Sequence, residues 1–123
     1  MSEKCCACSA APKLIFPCSG AADVGAIADQ AGRKLTRDGA GKMFCLAGIG
    51  GRVSGIMKTT EAASKLLVID GCPLACAKHS LEEAGFKNFA HLQLADLGMT
   101  KGNTPCTDET VAQVAAAGAK LLA

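Results

Sequence analysis

The sequence predicts an α/β protein: a single three-layer domain with a four-stranded parallel sheet, strand order 2-1-3-4, and helices on both faces. Three observations lead there. Short apolar runs alternate with longer segments of helical spacing, giving β-α-β-α-β-α-β-α, which implies parallel strands joined by right-handed crossovers. One run, "KLLVID", is apolar almost without alternation, as a strand covered on both faces should be. Half of the 123 residues are apolar, yet there are four Phe and no Trp or Tyr, so the core must be aliphatic and its helices rich in alanine. The length suits one domain with a real core.

The elements follow in order. Residues 1–11 read as a tail of small and polar residues carrying Cys5, Cys6 and Cys8, and 12–123 as the domain. "KLIFPCSG" is a buried strand ending in a tight turn. In "AADVGAIADQAGRKLTRDG", Val24, Ile27, Ala28, Ala31 and Leu35 recur at helical spacing, and Gly39 stops the helix. "KMFCLAGIGG" predicts a second strand running into a glycine-rich turn. "VSGIMKTTEAASKL" predicts a helix with Ile56, Met57, Ala63 and Leu66 toward the core. After the third strand, "PLACAKHSLEEAG" predicts a helix with Pro73 in its first position, where no amide proton is needed, and Leu74, Ala77, Leu81 and Ala84 facing inward. "FAHLQLADLG" is a fourth strand. The last helix begins near Thr107, with Asp108 and Glu109 favourably placed in its first turn.

Composition narrows the function. The net charge of +2 is spread along the chain, with no basic block and no aromatics among the lysines and arginines, so nucleic acid is not an expected partner. The start lacks the apolar stretch of a secretory signal. No run approaches the roughly 18 apolar residues of a membrane span. The expectation is a cytoplasmic protein without membrane partners. Eight cysteines are then the main fact. In a cytoplasmic α/β domain they point to metal binding or redox work rather than to disulfides.

Topology gathers four of them. All strands of a parallel sheet end along one edge, and ligands bind outside those ends where the strand order reverses. Cys18 follows strand one, Cys45 lies near the end of strand two, Cys72 follows strand three, and Cys76 lies one turn into the next helix. Helical residues at i and i+4 share a face, about 5–6 Å apart, so Cys72 and Cys76 could reach one ion. A helix N-terminus favours thiolate, the species that binds metal. The glycine turns let backbone amides approach the sulfurs, and Arg52 or Lys78 could help balance their charge. Four thiolates suit tetrahedral Zn²⁺. They equally suit an iron–sulfur cluster.

"DGCPLAC", together with "PCSGAADVG" and "FCLAGIGG", resembles the DGC-domain family of small prokaryotic proteins to which zinc binding is ascribed. The name refers to the Asp-Gly-Cys seen here as Asp70, Gly71 and Cys72. The resemblance covers about residues 12–100. It implies a metal site carried by Cys18, Cys45, Cys72 and Cys76, and no particular reaction. Cys5, Cys6, Cys8 and Cys106 fall outside that pattern.

Blander readings stand beside this one. Each of the four cysteines could be a buried structural thiol, and Cys45 lies closest to the interior of its strand. The tail cysteines are either part of a loose terminus or a flexible donor to the core site. Cys106 reads as a packing thiol, His79 as a solvent-facing helical histidine, and His91 as surface. "GIGG" lacks the spacing of a phosphate loop, and Asp70 reads as a residue bonding local amides in its turn. The functional expectation is a Zn²⁺-binding protein with a structural, sensing or trafficking role. The alternatives are a thiol redox or sulfur-transfer enzyme, with Cys72 attacking and Cys76 or Cys18 resolving, and an iron–sulfur electron carrier, for which no C-x₂-C-x₂-C run is present.

Overall fold

The computed structural model describes residues 11–123, so the predicted tail with Cys5, Cys6 and Cys8 lies outside the described residues. Strand β1 is Lys13–Pro17, β2 Lys42–Met43, β3 Lys65–Asp70 and β4 Ala90–Gln93. All pairs are parallel and the order is β2-β1-β3-β4, the 2-1-3-4 arrangement that the sequence predicts. Helices α1 (Asp23–Arg37), α2 (Leu46–Gly50), α3 (Ser54–Glu61), α4 (Cys76–Glu83) and α5 (Asp108–Leu122) cover both faces.

The period-two geometry of a strand sorts the core into two halves. Ile15, Leu67, Ile69 and Leu92 point to the face covered by α1 and α5, where they meet Val24, Ile27, Ala28, Ala31, Leu35 and Val114. Leu14, Phe16, Leu66 and Val68 point to the other face and meet Ile49, Ala77 and Leu81 from α2 and α4. The central strands β1 and β3 are thus buried on both sides, which explains why "KLLVID" does not alternate. Close packing of α5 needs Gly118, where a Cβ would stand 2.9 Å from Leu35 Cδ1 and 3.2 Å from Leu67 Cδ2. Thr107 opens α5 with a reciprocal capping box: its Oγ1 accepts from the Thr110 amide and its own amide donates to Thr110 Oγ1.

Several elements differ from expectation, each for a local reason. The second strand ends at Met43, and the glycine-rich stretch behind it is helix α2 rather than a turn. Its glycines permit close packing: a Cβ on Gly48 would stand 2.7 Å from Ile56 Cγ1 on α3. Helix α3 stops at Glu61, and Leu66 belongs to β3. Helix α4 begins at Cys76, not Pro73, because Ala75 takes a left-handed conformation with φ +52° and breaks the helix there. Pro73 and Leu74 therefore form a turn, and Leu74 is 67% exposed instead of facing the core. Strand β4 gives way at Leu94 to a short 3₁₀ turn.

These placements separate two leucines of similar appearance in the sequence. Leu67→Ala should cost about 2–5 kcal/mol of unfolding free energy, as truncations in closed cores do. Leu74→Ala should stay within about 0.5 kcal/mol. Urea unfolding of both variants tests this, and equal losses would contradict the turn at Pro73–Leu74.

Candidate functional site

The order reverses between β1 and β3, so the loops following these two strands leave the sheet side by side and open a crevice. Cys18 comes directly after β1, and its amide donates to the Ile69 carbonyl at 2.8 Å, prolonging the pairing of the strands. Its half-buried sulfur accepts the Gly71 N–H at 3.1 Å. Gly71 must lack a side chain, because a Cβ there would stand 2.8 Å from the backbone carbon and oxygen of Val24 in the first turn of α1. The start of α1 and the loop after β3 are pressed together at this glycine, with the Cys18 sulfur beside them.

Asp70, the last residue of β3, turns the other way. It is 1% exposed, and its carboxylate accepts the Ala77 and Lys78 amides at 2.8 and 3.0 Å. Those are free N–H groups of the first turn of α4, which Ala75 does not cap through a side chain. His91 on β4 completes the arrangement, with Nε2 donating to Asp70 Oδ2 at 2.8 Å. Two residues on, Gln93 Nε2 donates to the Cys72 carbonyl at 2.8 Å. His91, which reads as surface in the sequence, is thus tied to the buried carboxylate. Its alternation with Ala90 and Leu92 along β4 was the available signal, since those two face the α1 side and His91 and Gln93 must face the other.

Cys18, Cys72 and Cys76 line one cleft of about 600 Å³, floored by Ser19, Gly20, Gly71 and their neighbours and edged by Lys101. Cys72 and Cys76 are not an i, i+4 pair on one helix, because α4 starts only at Cys76. Cys45 caps α2, its Sγ accepting the Gly48 amide at 3.3 Å, and lines a separate cleft with Arg33, Arg37 and Met43. Cys106 opens onto a third cleft against α1. Arg52 spends its guanidinium on the Ile49 and Gly50 carbonyls at the end of α2, and His79 lies exposed beside Glu82. Among the described residues, no three His, Cys, Asp or Glu side chains are grouped so as to hold an ion between them.

Burial pushes the Cys18 thiol above its ordinary value of 9.0. The Gly71 amide opposes the shift, and the nearby Asp70, Cys72 and Cys76 reinforce it. A buried thiol of this kind stays protonated at neutral pH unless a cation replaces the proton.

The loop that carries Lys101 is fastened by a residue that the sequence did not single out. Asp23, first in α1, accepts the Gly102 amide at 2.9 Å, the Thr104 amide at 3.2 Å and its neighbour Val24 at 2.7 Å. These bonds, Gly102 foremost, hold its carboxyl below the ordinary 3.8, against a smaller opposing effect of burial.

The DGC domain matches residues 14–117 of the chain. The chain belongs to the DGC family. A relative from Pseudomonas aeruginosa, the anaerobic and virulence modulator AnvM, is 33% identical over 88 residues, covering 72% of this chain and 67% of that protein. No solved structure matches significantly. The three letters of the DGC motif acquire separate physical jobs here. Asp70 caps α4, Gly71 admits the backbone of α1, and Cys72 enters the cleft.

Two predictions follow from this geometry. Gly71→Ala sets a methyl group against backbone, so unfolding should become easier by about 1–3 kcal/mol. Gly20→Ala, with nothing within 4 Å of the added carbon, should stay within about 0.5 kcal/mol; thermal unfolding compares them. Removing the Asp23 carboxylate should speed hydrogen exchange at the Gly102 and Thr104 amides, since both lose the charged acceptor that fastens their loop. Because the folded-state value is depressed, the contribution is complete above pH 3.8 and is lost as pH falls below it. Wild-type protein should therefore approach the Asp23→Ala behaviour in acid, and an unchanged Asp23→Ala exchange pattern would refute the anchoring role.

Proposed function

We propose that the chain is a zinc-binding protein whose ion is held at the crevice between β1 and β3. The observation that carries this reading is three thiols from two distant segments, Cys18, Cys72 and Cys76, opening on one cleft. The donors fit a soft divalent ion in kind: thiolates prefer zinc to magnesium or calcium. Zinc–thiolate bonds of roughly 2.3 Å would need the three sulfurs drawn closer together than the described residues hold them. The family pattern supplies Cys45 as a fourth donor. Using it takes the sulfur off the Gly48 amide that it accepts in α2.

Zinc held by these cysteines would offset two of the three or four thiolate charges. The chain's own contribution is to fix the backbone that bears them, through Gly71 at Cys18, Gln93 at Cys72, and Asp70 at the turn following Cys76. The relative AnvM is named an anaerobic and virulence modulator. Of structural, trafficking and sensing roles, that name favours sensing. Metal, not nucleic acid or membrane, is the proposed partner, in the cytoplasm. No helix among the described residues is long and apolar enough to cross a membrane.

Protein purified under reducing conditions should be colourless and carry about one zinc per chain by elemental analysis. Cys18→Ser, Cys72→Ser and Cys76→Ser should each lower the zinc content at least several-fold and lower the melting temperature of the metal-loaded protein. Cys106→Ser should change neither. Retention of full zinc by all three variants would show that the site lies elsewhere, and brown protein with iron and sulfide would replace zinc by a cluster.

A further inference from the structure

We propose that the cleft between the Pro73–Leu74 turn and the loop after the 3₁₀ turn binds a small amphiphile with one negative charge, a medium-chain carboxylate. Its chain lies on Leu74 and Met99, and its acid group meets Lys101. The cleft has a volume of about 570 Å³, within the range of sites for small organic molecules. It borders the thiol crevice, sharing Gly71, Cys72 and Lys101 with it. Binding there asks no bond of any sulfur and does not depend on the zinc reading.

The lining specifies that molecule. Pro73, Leu74, Ala95 and Met99 make the cleft largely apolar. Lys101 is the one charged side chain among the described residues that lines it. It takes part in no ion pair with another described residue. An apolar cleft with a single cation complements a ligand with an apolar body and one negative charge. A nucleotide would find one cation for its several charges.

The backbone holds Leu74 out for such a contact. Leu74 is 67% exposed, and the residue after it, Ala75, is left-handed with φ +52°. That conformation crowds any side chain larger than hydrogen, and strained backbone of this kind gathers where ligands are held. Both sides of the cleft are fastened before anything binds. On one side, Gln93 Nε2 donates to the Cys72 carbonyl at 2.8 Å. On the other, the Thr100 amide donates to Thr104 Oγ1 at 2.8 Å, and Asp23 accepts the Gly102 and Thr104 amides. A pre-formed cleft loses little affinity to the ordering of its own loops.

The test titrates the isotope-labelled full chain, kept reduced, with hexanoate, uncharged hexanol and hexylammonium, and follows the backbone amides by NMR. Hexanoate should shift the amides of Cys72, Leu74, Thr100 and Lys101 in a saturable manner. It should bind about three-fold more tightly than hexanol at low salt, the scale of one exposed ion pair. The advantage should shrink at about 1 M salt, and hexylammonium should bind more weakly than hexanol. Lys101→Ala should erase the difference between hexanoate and hexanol, and Lys101→Arg should keep it. Leu74→Ala should keep the folded spectrum and weaken hexanoate about five-fold or more, as loss of a covered apolar side chain does. Leu121→Ala removes an exposed leucine at the opposite end of the sheet, where Lys13 holds the end of α5, and should leave binding unchanged. Absence of shifts in the cleft, shifts spread to remote exposed residues such as Val53, equal affinity of wild type for hexanoate and hexanol, or undiminished binding by Leu74→Ala would each overturn the proposal.

Discussion

The constraint on which the rest depends is the burial of the Asp70 carboxylate. A carboxylate out of reach of water is costly unless its oxygens are filled with hydrogen bonds. Two amides from the first turn of α4 and the ring of His91 fill them. The same bonds meet the needs of a helix start that lacks a local cap. One residue thereby joins β3, α4 and β4 at the edge where the cysteines gather. A short α-helix of eight residues has little intrinsic stability. Its position is set from the strand, and the cysteine that opens it is set with it.

Charge and packing act together around the crevice. Gly71 serves Cys18 through its amide and serves α1 through its missing side chain. Asp23, on the opposite wall, ties the loop after the 3₁₀ turn to the start of α1. The crevice is therefore enclosed by three segments, after β1, after β3 and before α5, each fastened by a bond from a side chain to a backbone amide. Such bonds are directional, and a loop held by them keeps its side chains in a narrower range than one held by apolar contact alone.

Much of this was legible in the residues. Strand order and layering followed from the alternation of apolar runs with helical periods, and the nearness of Cys18 to Cys72 followed from parallel strands ending on one edge, whereas Cys45 caps α2 and lines a different cleft. What escaped was decided by contacts between distant residues. "LAGIG" looks like a turn by composition, yet Gly48 packs under Ile56 and the segment coils into α2. Pro73 is well suited to a first helical position, but a left-handed Ala75 places the helix start three residues later. His91 and Gln93 gain their importance from Asp70 and Cys72, partners that no local pattern around β4 reveals. The Asp23 anchor spans nearly eighty residues of chain and left no mark in the spacing of either segment.

Capping α4 from the end of a strand has a broader effect. Ordinarily the residues just ahead of a helix are conscripted as its cap, which restricts them to serine, threonine, aspartate or asparagine. Here that duty is discharged from seven positions upstream. The bend from Cys72 to Ala75 is left free of it, and this chain fills that freedom with sulfur, proline and an outward leucine. Variation in that bend can change what the crevice accepts without loosening the helix behind it.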